Sequence, residues 1–168
     1  IAYDAKFLFE ELGYNMEPSE ISAAFGLVQL GRLDGNIRAR EAHFAQHLDF
    51  FARYEDWFIL PRQLPASRTG WLAFPLTVRD SAPFTRRDLQ IWMEQRDIQT
   101  RPVFTGNILR QPAMRNVTMR RNGHGYPVAD AVMRGGILLA LHHGLEQAQI
   151  DFMHASFAEF ANIGPRRA

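Results

Sequence analysis

The sequence contains no cysteine, and of its 19 basic residues only Lys6 is a lysine. The first absence excludes disulfides and thiolate metal sites, and leaves the redox compartment open. The second leaves any chemistry that needs a lysine amine with one candidate. Net charge is nearly absent too, at +1, so no global field draws the chain to nucleic acid or to an anionic membrane. No apolar run approaches the ~18 residues of a membrane helix. The first residues, IAYDAKFLFEELGYN, are charged and lack a cleavage pattern. There is no P-loop, no G-x-G-x-x-G and no G-x-S-x-G elbow. What is present is ordinary globular material: 46% hydrophobic and 22% charged residues over 168 positions, enough for one domain with its own core.

The periodicity predicts a long helix over residues 18–53. Pro18 suits a first helical position, and Ile21, Ala24, Phe25, Val28, Leu33, Ile37, Phe44, Leu48 and Phe51 recur at helical spacings. Gly31 and Gly35 mark a kink or a change of helix. Unbroken, such a helix is about 50 Å long, more than a compact domain of this size needs, so part of it is expected to pack on something outside the chain. Leu72, Phe74, Leu76 and Val78 alternate as a half-buried strand, with Pro75 pointing to an edge or a bulge. Thr85 and Asp88 stand at capping-box spacing ahead of a helix reaching Arg96. IQTRPVF reads as a second strand, residues 113–126 as a loop, Pro127 to Arg134 as a short helix stopped by Gly135 and Gly136. ILLALH is a buried strand, and a last amphipathic helix carries Ile150, Met153, Phe157 and Phe160. This order predicts an α+β fold (an α/β layer), a small sheet flanked by helices behind a long N-terminal helix.

Few side chains suggest chemistry. His43 and His47 have the i, i+4 spacing of zinc proteases, but Phe44 stands where the catalytic Glu belongs, so two surface histidines are expected. His142 and His143 follow a buried strand, and neighbours on a strand point to opposite faces. MRNVTMRRNGHG is basic but carries no interleaved aromatics, which suits a solvated loop better than a nucleic-acid groove. GYNMEPSE places Gly13, Tyr14 and Asn15 before a helix start, where free N–H groups and the macrodipole favour an anion; a plain helix cap is the competing reading. In TRPVFTGNILRQP, arginine, asparagine and glutamine converge just past the end of a strand.

GYNMEPSEISAAFGLVQLGRLD resembles the G-Y-N-x-x-P-[ST]-E-x-x-A-A-x-G-L-x-Q-L segment of the DegT–StrS family of pyridoxal-phosphate-dependent nucleotide-sugar enzymes. IQTRPVFTGNILRQP and LALHHGLEQAQIDFM continue the likeness over nearly all of the chain. The resemblance implies the C-terminal part of a fold-type I, aspartate aminotransferase-like enzyme that is cytoplasmic and homodimeric, with no nucleic-acid or membrane partner. It implies a division into an inter-domain or dimer helix region (1–53) and a small α/β domain (54–168). Asn15 would reach the cofactor phosphate of a neighbouring subunit. Arg101 and Arg110 would pair with diphosphate or sugar oxygens of a nucleotide-sugar substrate, and Asn107 and Gln111 would orient hydroxyls. The family's covalent lysine, a histidine in the 3-dehydrase branch, lies upstream of the G-Y-N segment. Lys6 is too close to it, so no catalytic residue is assigned and the chain alone is expected to be inactive. TGNILRQP resembles the G-N-L-x-R-Q-P element of 3-dehydrases, whereas LALHHGL is nearer the aminotransferase tail, with Ala140 and His143 where prolines are usual. The balance leans to a 3-dehydrase acting on a nucleotide-linked 4-keto-6-deoxyhexose. The alternative is a truncated, non-catalytic module that only dimerises or binds a partner.

Overall fold

A computed structural model describes residues 14 and 16–164 and divides the chain into two compact units, Ile1–Asp34 and Gly35–Ala168. Asn15 and Lys6 lie outside the described residues.

Helix α1 runs over Glu20–Ala52 with no break at Gly31 or Gly35. Its cap is Ser19, whose hydroxyl accepts from the Ser22 N–H at 3.3 Å and whose carbonyl accepts from the Ala23 N–H. Pro18 therefore precedes the cap and is not the first helical residue, because a serine oxygen satisfies an orphan N–H and a proline ring does not. In the first unit, Ile21, Phe25 and Val28 are exposed.

The second unit is built on a four-stranded antiparallel sheet of order β1-β2-β4-β3. The strands are β1 (Phe58–Ile59), β2 (Ala73–Val78), β3 (Arg101–Pro102) and β4 (Gly136–Ala140), and the helices are α2 (Arg86–Glu94), α3 (Pro127–Gly135) and α4 (Gln147–Ile163). Antiparallel pairing throughout makes the fold α+β. In β2 the alternation is as expected: Phe74, Leu76 and Val78 are buried. Phe74 pairs with Leu139 and Leu76 with Ile137, so both strands turn these residues to one apolar layer. Leu72 lies outside the strand and is exposed. β1 covers only Thr77 and Val78, which leaves Pro75 on an uncovered stretch of β2, where a missing N–H is tolerated. β1 itself has two residues and no period to betray it.

The second predicted strand shrinks to Arg101–Pro102. The Phe104 N–H bonds the Pro102 carbonyl at 2.7 Å and Phe104 takes φ 46°, a three-residue turn that lifts the chain off the sheet. α2 has its expected cap. Thr85 accepts from the Asp88 N–H and Asp88 accepts from the Thr85 N–H at 2.7 Å, although the helix ends at Glu94. α2 is stapled to α4: the Trp92 indole donates to the Ser156 carbonyl at 2.8 Å, and Arg96 lies 3.4 Å over the Trp92 ring while bonding Glu159 at 3.0 Å.

The core is aromatic. Phe51, Phe58, Phe74, Phe84 and Phe157 are fully buried, with edge-to-face pairs such as Phe51–Phe157 at 5.0 Å and Phe84–Phe160 at 4.9 Å. Each pair adds about 0.5–1.5 kcal/mol beyond area burial.

His47 corrects an expectation. It is not a surface residue but fully buried. Its Nδ1 lies 2.8 Å from His154 Nε2 and its Nε2 lies 3.1 Å from the Ala140 carbonyl oxygen. A carbonyl only accepts, so His47 Nε2 carries the hydrogen, Nδ1 is a bare acceptor, and His154 Nε2 donates to it. The pair thus ties α1, β4 and α4 together. Burial first, and the neighbouring His154 second, push His47 down to about 4; burial likewise pushes His154 down to about 4. The zinc-like spacing of His43 and His47 brings no metal cluster: none exists among the described residues.

Candidate functional site

The stretch after β3 turns twice within a few residues. Phe104 and Gly106 both take left-handed φ, 46° and 63°. Glycine does so freely. For phenylalanine the conformation costs on the order of 1–3 kcal/mol, and such strain concentrates where a ligand or switch is held. Gly106 is required for a second reason. A Cβ there would lie 2.5 Å from the Met133 Cβ, so the loop approaches α3 closer than any side chain allows.

Beyond Gly106, Asn107 caps a short 3-10 turn, Ile108–Arg110, by accepting from the Leu109 N–H at 3.1 Å. Its amide nitrogen donates to Asp130 Oδ1 at 2.7 Å. Arg110 grips the same carboxylate with both arms of its fork, Nε to Oδ1 at 3.0 Å and Nη2 to Oδ2 at 2.8 Å. Planar, bidentate pairing of this kind fixes direction as well as distance. The Arg110 contact, then the Asn107 contact, hold the Asp130 carboxyl down at about 2, and Asp130 in turn raises Arg110. Gln111 donates to the Thr105 carbonyl at 3.2 Å, closing the loop on itself.

The structure therefore brings Asn107 and Arg110 together on Asp130, with Gln111 tied to the same loop. Asn107 is buried and both its side-chain functions are engaged within the chain, so here it shapes the loop. Arg110 keeps an exposed side chain. Arg101 pairs opposite Leu138, which turns its side chain to the face away from Ile137 and Leu139. Among the described residues that side chain has no hydrogen-bond or ion-pair partner. Arg101 edges a cavity of about 740 Å³ with Phe104, Leu138, Ala140, His142 and Phe152. Asp130, the hub of the loop, was missed from sequence. Its one signal was an acidic residue in the first turn after Pro127, which reads equally well as a dipole partner.

Replacing Asp130 with alanine is expected to release Arg110 and Asn107 together. NMR should show the Leu109 amide losing its protection while the aromatic core resonances stay in place. Protection of Leu109 at the wild-type level would show that the loop holds without the clamp.

Comparison with known proteins gives the chain a family. A model of the DegT/DnrJ/EryC1/StrS aminotransferase family matches residues 2–157. The lipopolysaccharide biosynthesis protein RfbH of Salmonella typhimurium is 30% identical over 161 residues, 96% of this chain and 37% of its own length. The dTDP-4-dehydro-2,6-dideoxy-D-glucose 3-dehydratase of Saccharopolyspora spinosa is 31% identical over 164 residues, 94% of this chain and 34% of its own. Among solved structures, the E. coli GDP-4-keto-6-deoxy-D-mannose-3-dehydratase with bound hydrated PLP superposes with a TM-score of 0.75 at 23% identity, over 90% of this chain and 38% of that one. The chain spans little more than a third of the length of these relatives. With the sequence model covering nearly the whole chain and the fold shared, this chain belongs to the DegT/DnrJ/EryC1/StrS aminotransferase family.

Proposed function

We propose that the chain supplies one wall of the substrate site of a pyridoxal-phosphate-dependent enzyme acting on a nucleotide-linked 4-keto-6-deoxyhexose, in the 3-dehydratase branch. The observation that carries the reading is the TGNILRQP loop. Its arginine is held on Asp130 by a bidentate clamp, and Phe104 at the start of the loop edges a cavity together with Arg101, which has no hydrogen-bond or ion-pair partner among the described residues. Arginine suits a diphosphate because its fork bonds two oxygens at once; Arg101 would offer a whole fork, and Arg110, whose Nε and Nη2 are on Asp130, its Nη1 side. In this reading Arg101 and Arg110 hold the diphosphate, Gln111 orients a sugar hydroxyl, and Asn107 contributes with Asp130 by fixing the loop. The relative that is 31% identical is named a 3-dehydratase, which favours that branch over the aminotransferases.

The cofactor, when bound, supplies an electron sink for a carbanion. Among the described residues there is no lysine to hold it covalently, and the His47–His154 pair is buried and mutually engaged. The described residues therefore do not complete a cofactor site. The chain's own share is binding, with Asn15 as the proposed phosphate contact, in a cytoplasmic homodimer whose helix region is 1–53 and whose small domain is 54–168. Among the described residues no helix is long and apolar enough to cross a membrane.

The test is conversion of a nucleotide-linked 4-keto-6-deoxyhexose in the presence of pyridoxal phosphate, read by mass. The 168-residue chain alone should give none. The protein completed with a lysine- or histidine-bearing cofactor domain should give a sugar that has lost its C3 hydroxyl. An amino sugar would move the chain to the aminotransferase branch, and no conversion in either form would leave the non-catalytic module.

A further inference from the structure

Of the six asparagines in the chain, Asn122 alone precedes a glycine. Asn15, Asn36, Asn107, Asn116 and Asn162 are followed by methionine, isoleucine or valine, whose side chains crowd the backbone nitrogen next to the asparagine. Asn36 and Asn162 also lie in helices, and Asn107 is buried with both side-chain functions engaged. The Asn122–Gly123 step lies in an exposed turn of the loop before α3. The Gly125 N–H donates to the Asn122 carbonyl at 3.2 Å and closes that turn. Inside it, the His124 N–H donates to Asn122 Oδ1 at 3.2 Å. This bond folds the side chain back on its own backbone and draws electron density from its carbonyl carbon. Asn122 Nδ2 has only a long contact, 3.5 Å to the Gly125 carbonyl. The Gly123 N–H makes no hydrogen bond among the described residues, and a Cβ on Gly123 would meet nothing within 4 Å. A polarised carbonyl, an unengaged nitrogen and access to water thus meet at one dipeptide. Asp34–Gly35 is the contrasting case: it sits inside α1, where the helix holds each N–H on the carbonyl four residues back.

We propose that Asn122 is a site of spontaneous covalent modification, deamidating through a cyclic imide formed with Gly123. The Gly123 nitrogen gives up its proton and bonds Asn122 Cγ. The Cγ–Nδ2 bond then breaks, and the amide nitrogen leaves as ammonia with that proton. Water opens the five-membered ring at either carbonyl, giving aspartate or isoaspartate. One water enters and one ammonia leaves, with no change of oxidation state. Either product puts a carboxylate next to Arg120 and Arg121 in the chain and lowers the formal charge from +1 to zero. Isoaspartate also routes the main chain through the former side chain. It lengthens the turn that Asn122 and Gly125 close, and disturbs the bond from the Asn122 N–H to the Tyr126 hydroxyl at 2.9 Å. Tyr126 is the cap of α3, so the change falls at the start of the helix that carries Asp130. The inference is independent of the proposed function, because the reaction needs neither cofactor nor substrate.

The test is to hold the folded 168-residue chain in mildly alkaline buffer, digest samples with trypsin, and follow the peptide from Asn122 to Arg134 by mass and retention. The amide form of this peptide should be lost with time, and faster as pH rises, because the Gly123 nitrogen must lose its proton. Two products of one mass, aspartate and isoaspartate, should replace it. The peptides carrying Asn36, Asn107, Asn116 and Asn162 should stay unchanged over the same period. Gly123→Ala should abolish the conversion. That variant should fold, because Gly123 does not take a left-handed φ and the added methyl enters open space. Conversion at an unchanged rate in Gly123→Ala overturns the inference. So does an Asn122 that stays intact in the folded chain while the urea-unfolded chain converts.

Discussion

His47→Ala lowers the stability of the domain by about 4 kcal/mol, the sum of a core cavity and two stranded hydrogen-bonding groups. The side chain is fully buried, and its removal leaves the Ala140 carbonyl without the His47 donor and the His154 N–H without its acceptor. Domains of this kind are stable by only ~5–15 kcal/mol, so the loss is large. The same pair gives the wild type an acid limit. The unfolded chain takes up protons near the ordinary histidine value of 6.5, whereas folded His47 and His154 resist until about pH 4. Their contribution is therefore complete above pH 6.5 and is lost as pH falls from there to about 4, on the order of 3 kcal/mol for His47. A second proton on His47 has no place to sit, because Nδ1 already faces the N–H of His154. Asp151 eases protonation of His154, while Arg53 opposes it; His43 adds a small opposing effect at His47. Urea denaturation at a series of pH values checks this. Wild type should weaken between pH 6.5 and 4, and His47→Ala should be weaker at pH 7 with a flatter profile. Parallel profiles would show that the pair does not govern acid stability.

Gly106→Ala has the second large effect. The substitution combines a left-handed φ of 63° with a methyl 2.5 Å from the Met133 Cβ and 2.7 Å from its Cα. The Cα belongs to the backbone of α3, so no rotamer change relieves the clash. Strain and overpacking together should amount to about 3 kcal/mol, and the loop can relieve it only by moving off α3. That motion separates Asn107 and Arg110 from Asp130. Gly125→Ala is the control: its φ is 71° but nothing lies within 4 Å of the added methyl, so only the conformational cost of about 1–2 kcal/mol remains. Thermal melts of the two variants separate contact from conformation. Equal losses would mean that the close approach to Met133 contributes nothing.

The contrast between these residues explains how much could be read from sequence. β2, the Thr85–Asp88 cap, α3 and α4 were legible because period and capping chemistry are local. The family was legible because GYNMEPSE and TGNILRQP are long and specific. The His47–His154 pair was not, since the partners are 107 positions apart and each alone looks like a surface residue on an amphipathic helix. β3 was overestimated because IQTRPVF has strand propensity throughout, and the turn at Phe104 breaks a rule that normally reserves left-handed backbone for glycine. Asp130 was hidden for the same reason as the histidines: its partners come from a loop 20 and 23 residues away. The substrate residues were proposed from resemblance, and only the fold shows that Asn107 faces inward to Asp130 while Arg101 and Arg110 remain exposed.

The central proposal is that this chain presents one wall of a nucleotide-sugar site, with Arg101, Arg110 and Gln111 as its contacts. Chemical-shift mapping of the 168-residue chain during titration with a nucleoside diphosphate sugar tests it most directly. The expected result is saturable perturbation concentrated on those three residues, with the resonances of Phe51, Phe58 and Phe84 unmoved. Perturbation confined to other surfaces, or none at millimolar ligand, would contradict it.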